Sequence, residues 1–556
     1  MRGKAAARRS VAGFDKRWAA VLVLATMLAL IVAVRLYYYT GPIFANSQDE
    51  GIYLNIIKNG VINHQLPNFA MYKGANFSNF SDWRLFASPN IFQFYATLIY
   101  PEIFLLSITG FNADYAIGYV IFTSMVEGLF IMLILLRLSS LRAAAIGGVL
   151  FAFFPVDVLF STHVQPLVPA VMGLAIATYL FILARDERKG RRKYTLFVLS
   201  GFFGAVGYLS NPSALLFVIF AALYLIVLGL RNRKTWKDQS KYLSMLAVGF
   251  IIGFSITGIY YYTQSGSYLL YPLTDRNVLL EEGNATMNLT SNVQLRWSAN
   301  AQNTYLQLML DWQYGPYGKP IWYFGMMFYI FAAMAMLLLI KRQRKAYIFV
   351  LMFGFYFLVL SYMPEQVTTV GTLTVIKGVN ILPYLLELLV LPMVVVAALG
   401  IESLAAGGMR LAKVAALILV LATVAVSAYN LNSDAAYYRA YVYDLHAFLG
   451  FAALHPNATF YAYGSFAYET NIMSAFKYDI VGAGCSRADI ANESGYAVVG
   501  GYVNQDVDPT DYLRFGQCVE NNLTAMAPVF YAPDPAYQWS KGDAPPLVVY
   551  RVSRAT

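Results

Sequence analysis

Two adjacent carboxylates, Asp49 and Glu50, open the segment NSQDEGIYLNIIKNG (46–60). A carboxylate within reach of a hydroxyl can take its proton during a displacement. Ser47 with Glu50 three residues on forms a capping box, whose side chains satisfy free amides at a helix start. Ile52, Tyr53, Ile56 and Ile57 make one apolar face, and Gly60 is placed to close the helix. The pattern therefore predicts a short amphipathic helix with both acids in its first turn. Taken alone, it also allows a plainer role, in which the acids only complement the helix dipole.

Other groups suit anions. Arg84 and Arg276 carry the bidentate fork that fits phosphate. Lys377, in VIKGVNILPYLLELLVLP (375–392), is a cation before an apolar run; it can meet a lipid phosphate or simply snorkel. FFPVDVLFSTHVQP (153–166) carries Asp157, His163 and Gln165. His163 is either a donor to substrate or a capped loop histidine. Glu127 and Glu387 fall inside apolar stretches, where an acid marks either function or helix–helix hydrogen bonding. Two cysteines and four scattered histidines leave no metal-finger spacing. A divalent metal is chemically permissible, but no residue pattern supports one, and no cofactor is indicated.

The chain that must position these groups is built for lipid. Of 556 residues, 58% are hydrophobic and 13% charged, with mean hydropathy +0.53; soluble domains carry about 25% charged residues. A membrane helix needs ~20 mostly apolar residues. Such stretches lie at about 18–39, 113–136, 142–157, 168–184, 194–210, 212–230, 242–263, 320–340, 346–363, 379–400 and 412–430. Residues 89–109 are apolar but carry Gln93, Pro101 and Glu102, and are expected as an amphipathic helix in the interface. Eleven spans (1–430), including a first outer loop at about 40–112, precede a polar–apolar alternating outer domain (431–556) of α/β type. The expected fold class is thus an α-helical polytopic membrane protein with a C-terminal extracytoplasmic α/β domain.

Charge placement gives the expected orientation. Under this count the cytoplasmic segments hold 25 of the 40 Lys and Arg residues, including RDERKGRRK (185–193), RNRKTWK (231–237) and KRQRK (341–345), as the positive-inside rule requires. This placement accounts for the +10 net charge without nucleic acid. N-x-[ST] sequons begin at Asn76, Asn79, Asn284, Asn288, Asn457, Asn492 and Asn522, all on the outer side, where glycosylation occurs. Counting 89–109 as a span would reverse both signals. The cationic N terminus is therefore expected on the cytoplasmic side of the cell membrane. Tyr37, Tyr38 and Tyr39 form an aromatic belt at the outer interface. Cys485 and Cys518 lie outside, where a disulfide is permitted.

An Asp-Glu pair on a helix directly after the first span, with SPNIFQFYATLIY (88–100) as a second juxtamembrane helix, resembles the GT-C glycosyltransferases. The similarity is greatest to the branch of protein O-mannosyltransferases and the lipid A aminoarabinose transferase. It covers about residues 15–235 and the span count. The chain departs from that branch at Gln165, where an Asp often precedes the Pro, and in the spacing of Tyr384 after Lys377. The resemblance implies a donor sugar on a polyprenyl phosphate such as dolichyl phosphate, a glycan, lipid or protein acceptor, and surrounding membrane lipid. Asp49 would be the base, and Glu50 would orient the acceptor or hold the helix start. Lys377, with Arg84 or Arg276, would neutralise the leaving phosphate, and His163 and Gln165 would touch substrate. One displacement implies inversion at the anomeric carbon. DWQYG (311–315) superficially resembles an oligosaccharyltransferase motif but precedes a span, so it is expected as an interfacial turn. A transporter or flippase and a non-catalytic scaffold are the competing classes; the absence of an internal repeat between the halves weighs against the first.

Overall fold

In the computed structural model, the described residues are 2–41, 48–62, 64, 96–188, 190–265, 293–294, 313–314, 320–321, 323–361, 364–370, 373–378, 383–407, 409–462, 470, 474, 477–482, 495–499, 526–532 and 547–552. The helices among them are α1 (Arg2–Tyr38), α2 (Gln48–Ile62), α3 (Ala96–Thr109), α4 (Ala113–Leu138), α5 (Leu141–Ala152), α6 (Pro155–Ser161) and α7 (Leu167–Asp186). They continue with α8 (Arg191–Tyr208), α9 (Leu215–Arg231), α10 (Trp236–Ser265), α11 (Met327–Ile340), α12 (Arg344–Ser361), α13 (Val390–Ala405) and α14 (Arg410–Leu454). Each apolar stretch read from the sequence contains helix among its described residues, although 320–321 is strand. Seven helices are long and apolar enough to cross a membrane, or eight if the bent pair α5–α6 counts as one span. Of the others, α8 opens with three cations, and α9 and α11 have only 17 and 14 residues. The protein is a multi-pass membrane protein.

The expected straight span at 142–157 is broken. The two halves, α5 and α6, meet at 60°. Pro155 has no amide to continue the ladder, and it drives Phe154 into extended backbone (φ −72°, ψ 113°). All seven residues of α6 are buried, so this short helix sits inside the bundle. Helix α3 has 14 residues, about 21 Å at 1.5 Å per residue. That is shorter than the ~30 Å hydrocarbon core.

Close backbone approach holds several pairs together. A Cβ at Gly201 would run into the Leu246 carbonyl, and one at Gly249 into the Val198 carbonyl. These glycines let α8 and α10 touch along a small-residue seam, the usual device in lipid, where apolar burial supplies little drive for association. Gly60 has the same use between α2 and α3, because a Cβ there would meet Ile103. The helix accordingly runs to Ile62 and does not close at Gly60, as capping logic had suggested.

Ten short strands complete the described residues. Strands β1 (Val293–Gln294), β4 (Pro364–Val370) and β5 (Leu373–Gly378) form one sheet in the order β1-β5-β4. Strands β2 (Gln313–Tyr314) and β3 (Pro320–Ile321) pair antiparallel, which puts part of DWQYG in a small ladder. Strands β6 (Thr459–Ala462), β7 (Asp479–Gly482), β8 (Gly495–Val499), β9 (Met526–Tyr531) and β10 (Val548–Val552) make a mixed sheet ordered β7-β6-β8-β10-β9. Phe448 and Phe451 of α14 pack on Phe460 of β6, so the last membrane helix forms part of this core. The helix runs unbroken through residues 430 and 431, the boundary expected from the sequence.

Candidate functional site

Helix α2 follows the first membrane helix and carries Asp49 and Glu50 in its first turn. Tyr53, Ile56 and Ile57 of the apolar face read from the sequence are buried, and so are Leu54, Lys58, Asn59 and Val61; the Ile52 side chain lies outside the described residues. The Asp49 side chain and Ser47 lie outside the described residues. Glu50 is 2% exposed. The capping-box partner expected for it, Ser47, is not among the described residues, and the contacts that are described lie elsewhere. The Val164 backbone amide donates to Oε1 at 2.6 Å, and His163 Nδ1 lies 3.5 Å from Oε2. A charge-assisted bond of this length is among the stronger kinds. Glu50 therefore clasps α2 to the loop that leaves α6.

That loop, 162–166, is itself held. The His163 amide donates to the Phe160 carbonyl at 3.2 Å, and the Ser210 hydroxyl donates to the Pro166 carbonyl at 2.7 Å. His163 and Gln165 are both buried. The structure thus brings Glu50 and His163 together and places Gln165 in the same loop. Arg84 and Arg276 lie outside the described residues. Lys377 lies on β5 with its backbone opposite Gln366 of β4, on a strand and not at the entrance of a helix; its side chain is not described. The apolar run after it begins as a 3₁₀ turn, Pro383–Leu389, before α13.

A second buried polar cluster centres on a residue to which the sequence reading gave no role. Arg35, wholly buried, forms an ion pair with Asp157 of α6. Its Nε donates to the Ser124 hydroxyl at 2.8 Å. One terminal nitrogen donates to the Ile31 and Ala152 carbonyls, at 3.1 and 3.4 Å. The Ala152 carbonyl belongs to the last residue of α5, where the break frees acceptors that the bilayer cannot satisfy. Ser124 donates in turn to Asp157 at 3.2 Å, and the guanidinium lies over the Phe151 ring, 5.0 Å from its centre. Glu127, one turn beyond Ser124, and Glu387 of the 3₁₀ turn are fully buried, within electrostatic reach of Asp157 and Arg35. Neither makes a hydrogen bond among the described residues. The signal available in sequence was an arginine within a membrane helix and an aspartate in another, because charges in spans pair. No group of three or more metal-ligating side chains occurs among the described residues.

One further acid lies near α2. Glu102 of α3 is 1% exposed, and burial pushes its carboxyl well above the usual carboxylate range.

Residues 102–259 match the family model described as dolichyl-phosphate-mannose-protein mannosyltransferase. No curated protein matches. The crystal structure of ArnT from Cupriavidus metallidurans bound to undecaprenyl phosphate superposes with a TM-score of 0.58. It covers 95% of this chain and 97% of that one at 12% identity. Its apo state gives 0.57, with 96% and 98% coverage at 13% identity. The fold is that of ArnT. The family match begins within α3 and ends within α10, so it includes α4, α5, the bent α6 and the 163–166 loop that holds Glu50. The oligosaccharyltransferase of Archaeoglobus fulgidus, also similar, superposes at 0.46 with 13% identity, over 93% of this chain and 74% of that one.

Proposed function

We propose that the protein is a polyprenyl-phosphate-dependent glycosyltransferase, moving one sugar from a dolichyl or related polyprenyl phosphate to a hydroxyl on a glycan, lipid or protein. The observation that carries this reading is the clasp of an acid-bearing helix, by Glu50, onto the loop after α6 within the fold of ArnT. The undecaprenyl phosphate bound by ArnT and the mannosyltransferase family match support the donor class. Charge placement and sequons support an orientation with the N terminus cytoplasmic, and with α2 and the 431–556 domain outside.

In this reading Asp49 takes the acceptor proton as the hydroxyl oxygen attacks the anomeric carbon. The bond to the phosphate oxygen breaks with its electron pair, and polyprenyl phosphate leaves. Lys377, Arg84 or Arg276 neutralises the charge that develops there. Glu50 orients the helix, and His163 and Gln165 border the acceptor. One displacement inverts the anomeric centre.

Purified protein in lipid nanodiscs, given a polyprenyl-phosphate sugar and a panel of hydroxyl acceptors, should release polyprenyl phosphate and yield a glycoside of inverted configuration. Transport of intact donor across sealed vesicles without release would favour a flippase instead. Neither release nor transport would favour a scaffold.

A further inference from the structure

The cluster around Arg35 has no part in the displacement just described, yet it lies at one end of a short buried helix whose other end leads to the loop that holds the acid-bearing helix. Asp157 is in the first turn of α6. His163 and Val164 follow its last turn and meet Glu50. The seven residues of α6 are all buried, and Val158 stands at their centre. Val158 itself packs with Val34 and Tyr38 of α1 and Leu431 of α14.

We propose that Arg35 and Asp157 are positioning residues for the acid-bearing helix, acting through α6 and the Glu50 clasp. Three observations carry this. First, Arg35 bonds to both sides of the helix break, to the Ala152 carbonyl before it and to Asp157 after it. A bent span has no continuous ladder to set the angle of its halves, so groups that bridge the break set it instead. Second, Arg35 is also tied to α4 through Ser124 and to its own helix through the Ile31 carbonyl. The bridge is therefore referenced to two long membrane helices. Third, the clasp uses the Val164 backbone amide, whose position follows the backbone of α6 rather than any side-chain rotamer. Rotation of α6 would carry that amide away from Glu50, and α2 with Asp49 would lose its anchor. The ion pair and the clasp then form one mechanical unit, and energetic coupling between them is the required sign. The kinetic part of this proposal rests on the glycosyl-transfer reading; the structural part does not.

The test uses the full chain in nanodiscs and two readouts. Hydrogen–deuterium exchange is followed over residues 48–62 and 162–165, with 191–208 and 236–265 as distant controls. The donor reaction supplies kcat and KM. In Arg35→Gln and in Asp157→Asn, exchange over 48–62 and at the Val164 amide should rise at least tenfold while the controls keep wild-type rates. The same rise should follow Glu50→Ala, and adding Arg35→Gln to Glu50→Ala should change little more. The kcat should fall between tenfold and a hundredfold, with KM for the donor within twofold of wild type. Either single charge deletion leaves a lone buried charge and can prevent folding. Arg35→Met/Asp157→Leu removes both charges together and should fold and still loosen 48–62. Wild-type exchange over 48–62 in that double variant overturns the proposal, as do effects of Arg35→Gln and Glu50→Ala that simply multiply. Should the wild-type protein release no polyprenyl phosphate, the activity reading fails and the exchange data alone decide the positioning role.

Discussion

Asp49 and Glu50 are neighbours in the chain but not equivalent in chemistry. Glu50 has its carboxylate committed to Val164 and His163, so the base assigned to the reaction is Asp49. General-base catalysis contributes about 10²–10⁴-fold, and Asp49→Asn should lower kcat by that factor in the donor-release assay with unchanged expression. Glu50→Gln keeps an acceptor for the Val164 amide and loses only its charge assistance. Its cost should be nearer tenfold, about the 1.4 kcal/mol that separates charged from neutral hydrogen bonds. An inverse ranking of the two variants would exchange their roles. Glu102 gives a pH prediction. Its raised folded value means that the native state binds a proton that the unfolded chain releases above about pH 4.3. Native stability from this group therefore falls as pH climbs through the window from that ordinary value to the raised one. Glu102→Gln does not titrate. Its thermal midpoint, read by intrinsic fluorescence, should gain on wild type across that window and then hold a constant lead.

At the scale of elements, the membrane helices depend on small residues where backbones touch and on polar bridges where a ladder breaks. The α8–α10 seam is the first kind. A Cβ at Gly249 has the Val198 carbonyl in its path, and a helix backbone yields less readily than a flexible side chain. Overpacking costs typically about 1–3 kcal/mol, so Gly249→Ala should lower the thermal midpoint by about 1–3 °C in a chain of this length. Gly354, where an added methyl group would meet open space, should accept Ala without loss. Equal midpoints for the two variants would remove the seam as a source of stability. The break between α5 and α6 is the second kind. Its cause, Pro155, is plain in the sequence. Its stabilisation by Arg35 is not, because the partner lies 117 residues away from the Ala152 carbonyl it satisfies.

For the molecule as a whole, the match to ArnT extends over nearly the full length of both chains, membrane bundle and terminal sheet together. Helix α14 makes that continuity physical, since it runs from the bundle into the aromatic core of the sheet without a hinge. A donor that binds the folded protein raises its stability by mass action. At a hundred times its Kd, that is about 2.7 kcal/mol. Polyprenyl phosphate should therefore raise the thermal midpoint in nanodiscs, while polyprenol lacking the phosphate should raise it far less. Equal shifts from both lipids would mean that no anion site for the donor exists.

Composition and periodicity were enough to determine that this is a polytopic membrane protein, roughly where most of its helices lie, and that an acidic pair sits on a short helix just past the first of them. These are local properties, since burial in lipid demands continuous apolar runs and self-satisfied backbone. The pairing of charges was not local. Arg35 reads in sequence as the end of an apolar run and Glu50 as half of a capping box, and each takes its meaning from a partner more than a hundred residues away. Only the tertiary structure could decide those pairings, because a buried charge is stabilised by whichever complementary group the packing of helices brings to it, and spacing along the chain carries no record of that choice.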